Sequence, residues 1–178
     1  MSDQAPILDF DPDPLGVLEP SERFKAGTIP ERVVVTFFEP ALQALVQREQ
    51  ARVLHPFASY GGGRDLYGFQ RQGQDVAVYL SGIGAPLAAG FLEEAIALGG
   101  RKFVVCGGAG VLDKGISQGH LILPTSALRE EGLSYHYLPA APEVAAGAAA
   151  VAALEKVLLS RKAPFLKGKT WTTDGLYR

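Results

Sequence analysis

The run Cys106-Gly107-Gly108-Ala109-Gly110-Val111 closes an apolar stretch, Lys102-Phe103-Val104-Val105, with glycines. Glycines at the carboxyl end of an α/β strand let a ligand approach the peptide backbone, because no Cβ stands in the way. A second apolar run, His120-Leu121-Ile122-Leu123, leads into the polar, charged segment Pro124-Thr125-Ser126-Ala127-Leu128-Arg129-Glu130-Glu131-Gly132. Together these stretches place a small-molecule site at one edge of a sheet. Gly82-Ile83-Gly84 is a second glycine turn ahead of a helical pattern. A helix N-terminus presents free N–H groups and partial positive charge, which suits a phosphate. The third glycine of a dinucleotide fingerprint is absent, since position 87 is leucine, and no Walker-type phosphate loop occurs. This pair therefore reads as a tight strand–helix turn beside a different site.

Other polar groups have two readings each. Arg64, after Gly61-Gly62-Gly63, is an anion ligand through its bidentate guanidinium or an exposed arginine without a role. Arg129, Glu130 and Glu131 follow a core strand directly and form part of a site or a solvated turn. His136, in Ser134-Tyr135-His136-Tyr137, lines a ligand or a subunit interface or is simply a loop residue. His55, His120 and His136 do not stand at metal-ligand spacing. Cys106 is expected as a small buried core residue, not a nucleophile, because apolar surroundings suppress the thiolate. No Gly-x-Ser-x-Gly elbow or Cys/His pair supports hydrolysis through a covalent enzyme intermediate.

The elements that must position these groups are those of an α/β protein. The 178 residues suffice for one domain with a substantial core. The net charge of −2 gives no drive toward nucleic acid or an anionic membrane. No apolar run has the length of a membrane span, and Met1-Ser2-Asp3-Gln4 does not open a secretory signal. With a single cysteine and no internal disulfide, a cytoplasmic location is expected. Residues 1–32 are acidic and contain several prolines, an arm leading into the domain of residues 33–178. Strands are expected at 33–38, 52–55, 102–106 (buried), 120–123 and 167–173, with a mobile loop at 60–64. A hairpin is expected from 66–71 and 75–80 about Gln72-Gly73-Gln74. Helices are expected at 41–50, after Gly84 with Leu87, Phe91, Ala95 and Leu98 on one face, and at 143–162 with Val144, Val151, Leu154 and Leu158 facing inward. Strands alternating with helices imply a largely parallel sheet.

The chain resembles the nucleoside phosphorylase superfamily, which contains the hexameric purine nucleoside and uridine phosphorylases. The resemblance is carried in order by Val78-Tyr79-Leu80-Ser81-Gly82-Ile83-Gly84-Ala85-Pro86, by Phe103-Val104-Val105-Cys106-Gly107-Gly108-Ala109-Gly110-Val111, by residues 119–139, and by Thr170-Trp171-Thr172-Thr173-Asp174. It implies a three-layer α/β/α fold with a mixed central sheet. It also implies a homo-oligomer, from dimer to hexamer, with sites shared between subunits. The implied activity is cleavage of the N-glycosidic bond of a purine or pyrimidine nucleoside, with phosphate as co-substrate and no other cofactor. Gly107, Gly108, Ala109 and Gly110 would then be the backbone turn at the sugar and phosphate. Arg64, in Arg64-Asp65-Leu66-Tyr67-Gly68-Phe69, would reach a neighbouring subunit's phosphate, and Leu176 and Tyr177 would begin the base pocket.

The sequence departs from the family pattern where phosphate is held. Phe38-Glu39-Pro40-Ala41-Leu42 matches a family Gly-Asp-Pro-x-Arg, so Phe38 and Leu42 replace the phosphate glycine and arginine. Val105 stands for a second arginine, and Gly108 for a Ser or Thr. Each lost charged contact to an anion is worth roughly 1.5–3 kcal/mol. A phosphate-independent nucleosidase is therefore an alternative, with Glu39 as the base that activates water or merely as a helix N-terminal acid. A non-catalytic nucleoside-binding homologue is a further one. The family's ribose carboxylates and terminal helix would lie past Arg178, so the expectation is a domain incomplete at its C-terminus.

Overall fold

In the computed structural model of the chain, the described residues are 5–57, 63–116, 119–175 and 177. They form two compact units, one of residues 13–108 and one of residues 1–12 with 109–178. The architecture is α/β, and both units contain parallel and antiparallel strand pairs.

The first unit is built around β1 (Arg32–Thr36), whose β-branched run Val33-Val34-Val35 suits a pleated strand covered on both faces. After the four-residue α1 (Pro20–Arg23) and β1 come α2 (Glu39–Glu49), β2 (Arg52–Phe57), β3 (Arg64–Arg71), β4 (Gln74–Leu80), α3 (Ala85–Leu98) and β5 (Lys102–Cys106). The sheet order is β2-β3-β4-β1-β5. β1 pairs in parallel with β4 and β5, while β2, β3 and β4 pair antiparallel. The β3–β4 hairpin closes tightly, with Arg71 opposite Gln74 and both turn residues left-handed, Gln72 at φ 52° and Gly73 at φ 71°. This is the two-residue turn whose twist matches a hairpin.

One face of the sheet carries the core. Val33, Val35, Leu66, Ala77 and Tyr79 meet Phe57 and the α3 residues Phe91, Ala95 and Leu98. The rings of Phe57 and Phe91 stack at 5.1 Å, and Tyr79 approaches Phe57 edge-on at 5.0 Å. Period-2 alternation sends Tyr67 and Leu80 to the other face, where α2 packs against β3 and β4 and buries Leu42. Residues 24–31 close the core edge. Ile29 is buried, Phe24 packs beside it, and the N–H groups of Thr28 and Ile29 donate to the Leu98 carbonyl.

Three expectations are corrected in this unit. The first strand ends at Thr36, not at residue 38, because the Thr36 hydroxyl accepts the Phe38 N–H at 3.1 Å and turns the chain into α2. Cys106 and most of β5 are exposed, not buried. β5 is an edge strand, bonded in its sheet to β1 alone, so an apolar run does not ensure cover. Leu87 is also substantially exposed, lying over Gly82 while Phe91, Ala95 and Leu98 enter the core. Of the loop expected at 60–64, residues 60–62 lie outside the described residues.

The second unit holds β6 (Leu121–Glu130), flanked by β7 (Glu143–Ala145) antiparallel and β8 (Phe165–Thr173) parallel. α4 (Ala148–Ser160) packs on β6 with Val151, Leu154 and Leu158 partly buried. The helix expected from residue 143 therefore starts five residues later, since Glu143–Ala145 are taken by pairing with Ser126–Leu128. Gly147 precedes the helix as its N-cap.

Tyr79 is fully buried, and its hydroxyl has no hydrogen-bond partner among the described residues. Burial alone pushes its phenol far above the usual value of 10. An unpaired buried hydroxyl costs about 1–3 kcal/mol of desolvation. Tyr79→Phe is expected to leave stability at neutral pH unchanged or raise it by about 1 kcal/mol in urea denaturation. The folded state keeps Tyr79 neutral while the unfolded chain ionises above about pH 10, so wild type loses stability on the alkaline side and the variant loses less. A clear destabilisation by the substitution at neutral pH would show that the hydroxyl is satisfied.

Candidate functional site

The parallel pairing of β4, β1 and β5 brings their carboxyl ends to one edge, with Thr36 opposite both Leu80 and Cys106. That edge is where open α/β sheets receive ligands. The Ser81 N–H donates to the Thr36 carbonyl at 2.8 Å and the Phe37 N–H to the Cys106 carbonyl at 3.1 Å, extending each ladder by one bond. Past these bonds the chain leaves the sheet as Gly107-Gly108. A Cβ on Gly107 would lie 3.2 Å from Phe37 Cδ2, and one on Gly108 would lie 3.7 Å from Phe38 Cε1. Glycine at position 107 is thus needed for the ring to come this close, while the fit at 108 is ordinary contact. Among the described residues, the N–H groups of Gly107 and Gly108 donate to no acceptor.

Arg64 and Glu39 lie together. They line a hollow of about 170 Å³ with Gln43, Asp65 and Tyr67, floored by Leu42 and Leu80. Glu39 opens α2 and Arg64 opens β3, so helix start and strand start converge over the α2 face of the sheet. Tyr67 donates to Asp65 at 3.4 Å. Burial, and then the Asp65 carboxylate, raise the Tyr67 phenol above its usual value. Arg64 forms no ion pair among the described residues. The hollow that Arg64 lines does not include Gly107 or Gly108 among its described lining residues.

In the second unit, Ala109 and Gly110 line an open hollow of about 460 Å³ with Asp113 and Lys114. Asp113 holds this loop by accepting the Gly115 N–H at 2.8 Å. Tyr177 is exposed, and Leu176 lies outside the described residues. No group of three or more His, Cys, Asp or Glu side chains among the described residues could hold a metal.

Arg129 resolves one of the open readings of the sequence. It is buried at 7 % exposure, not solvated. Its guanidinium donates to Ser134 Oγ at 2.9 Å and to the carbonyls of Pro139 and Leu138 at 2.8 and 3.1 Å, and stacks over Tyr135 at 4.4 Å. Buried Glu131 accepts the Ser134 N–H at 2.9 Å, and Glu130 accepts from Trp171 Nε1. These bonds fasten the 3₁₀ turn Leu133–His136, leaving His136 exposed. A lone charged triplet in sequence carries no signal of such partners. His55 stands edge-on between the rings of Phe24 and Phe57, a packing role.

Residues 31–178 match the phosphorylase superfamily. The chain belongs to that family. It is 32 % identical over 106 residues to a uridine phosphorylase of Thermococcus kodakarensis, covering 60 % of this chain and 38 % of that protein. It is 36 % identical over 75 residues to a guanosine phosphorylase of Halorubrum lacusprofundi, covering 40 % and 31 %. The crystal structure of a uridine phosphorylase from Vibrio fischeri superposes with a TM-score of 0.75 at 21 % identity, over 87 % of this chain and 64 % of that one. The fold is therefore that of the nucleoside phosphorylases, and the chain spans roughly a third of the length of these two sequence relatives. No helix among the described residues is long and apolar enough to cross a membrane.

Exposure of Cys106 in this superfamily member gives a direct check on the strand-end geometry. The native protein is expected to react with a disulfide-exchange reagent at its single thiol, as fast as a free cysteine on an open surface. A thiol that reacts only after denaturation would contradict the placement of β5 at an open edge.

Proposed function

We propose that the complete protein cleaves the N-glycosidic bond of a purine or pyrimidine nucleoside by phosphorolysis. A phosphate oxygen bonds to the anomeric carbon as the carbon–nitrogen bond breaks. The bonding pair leaves with the base, which takes a proton, and the products are free base and pentose 1-phosphate. The observation that carries this reading is family membership over 31–178, joined to an open glycine turn with free N–H donors at the ends of parallel strands. Such donors are fixed before the reaction and can hold the oxygens of the sugar and the phosphate in place for it. Gly107, Gly108, Ala109 and Gly110 supply this backbone. Arg64, which forms no ion pair among the described residues, is the anion ligand offered to a neighbouring copy in a homo-oligomer. Tyr177 and Leu176 begin the base pocket. Phosphate is the co-substrate, and no other cofactor is invoked.

A second reading, hydrolysis by water, is favoured by specific residues. Phe38, Leu42 and Val105 stand where the family resemblance places a glycine and two arginines, and Leu42 is buried. Glu39 shares a hollow with Arg64 and is the candidate base for water there.

Base release from uridine, inosine and guanosine with and without phosphate separates these readings. Phosphorolysis predicts release that requires phosphate and yields one pentose 1-phosphate per base. Equal release in its absence selects hydrolysis, and binding without release selects a non-catalytic homologue. Under phosphorolysis, Arg64→Ala is expected to raise the KM for phosphate about ten- to a hundredfold, the equivalent of one charged contact. An unchanged KM would remove Arg64 from the site.

A further inference from the structure

Phe37 and Phe38 follow β1 directly, at the edge where β1, β4 and β5 end together. Large aromatic rings are normally withdrawn from water. These two are 36 % and 45 % exposed, and they stand beside Gly107 and Gly108, filling the space into which a Cβ at either glycine would project. The neighbouring N–H groups of those glycines lack acceptors among the described residues. No lysine or arginine occurs in residues 36–38, 80–84 or 106–108. The edge thus offers an apolar ring beside two hydrogen-bond donors, and no side-chain cation for a full negative charge.

The ligand group that fits this combination has an apolar C–H surface and oxygen acceptors around its rim. A pentose has both. We propose that Phe38 is a specificity-determining residue, against whose ring the pentose of the nucleoside packs while Gly107 and Gly108 donate to its oxygens. This rests on the nucleoside reading above, but not on whether phosphate or water attacks. It assigns a role to a side chain that the family resemblance presents only as a lost glycine. The Thr36 hydroxyl accepts the Phe38 N–H, and the ring stands where a Cβ added to Gly108 would meet Cε1 at 3.7 Å.

Proton NMR of uridine, inosine and guanosine with the complete protein, in wild-type, Phe38→Tyr and Phe38→Leu forms, tests the assignment. The aromatic ring should shift the bound ribose protons upfield in wild type. Phe38→Tyr should retain the shift and the affinity, which also shows that the fold survives substitution at this position. Phe38→Leu should abolish the shift and weaken binding about fivefold to tenfold. Ribose shifts that persist in Phe38→Leu, or upfield shifts confined to base protons, would overturn the platform while leaving the nucleoside reading intact. Failure of all three nucleosides to bind wild type would overturn both.

Discussion

The parallel pairing of β1 with β4 on one side and β5 on the other is the constraint on which the rest depends. It fixes three strand ends at a single edge. It also fixes which face each side chain takes, because the strand period is two. Val33, Val35 and Tyr79 are thereby committed to the α3 core, and Tyr67 and Leu80 to the α2 face. A one-residue slip would exchange these sets and expose the Phe57–Phe91–Tyr79 cluster. The candidate site is a by-product of that register. Thr36, Leu80 and Cys106 stop at the same level, and the glycine turn begins where the ladder's last bond is made.

The absence of lysine and arginine from residues 36–38, 80–84 and 106–108 bears on the family's chemistry. Phosphorolysis needs a dianion held close to a sugar, and its binding is supported by guanidinium contacts worth roughly 1.5–3 kcal/mol each. At the strand ends of the first unit the described residues place backbone N–H groups and the rings of Phe37 and Phe38, with no lysine or arginine in residues 36–38, 80–84 or 106–108. Arg64, which forms no ion pair among the described residues, sits in the Glu39–Asp65 hollow instead. In the second unit charge is spent on rigidity. Arg129 is consumed by the loop carbonyls of Leu138 and Pro139 and the ring of Tyr135, which makes it a positioning residue for the loop and not an anion ligand.

Local chemistry was legible where it alone decides the outcome. Gln72-Gly73 between alternating runs gives the hairpin, and the helical patterns at 41–50 and after Gly84 give α2 and α3. The family resemblance extended this reading to the α/β architecture with its mixed strand directions. What stayed hidden depends on neighbours distant in sequence. Val104, Val105 and Cys106 look like core until β5 is seen at the sheet edge. Glu143–Ala145 has the composition of a helix start until β6 captures it as a strand. Arg129 looks solvated until the carbonyls ten residues on fold back over it. Phe37 and Phe38 read as the end of a buried strand, whereas the Thr36 hydroxyl bends them out over Gly107 and Gly108. The glycine turn of the candidate site was legible, but not the rings beside it.

The central claim is that a nucleoside's sugar lies on the backbone turn at the carboxyl ends of β1, β4 and β5. A crystal structure of the complete protein with a bound nucleoside tests it most directly. The account predicts pentose density within hydrogen-bonding distance of the Gly107 and Gly108 N–H groups. Density for the sugar in the Glu39–Arg64 hollow of the same chain, with the glycine turn bare, would contradict it.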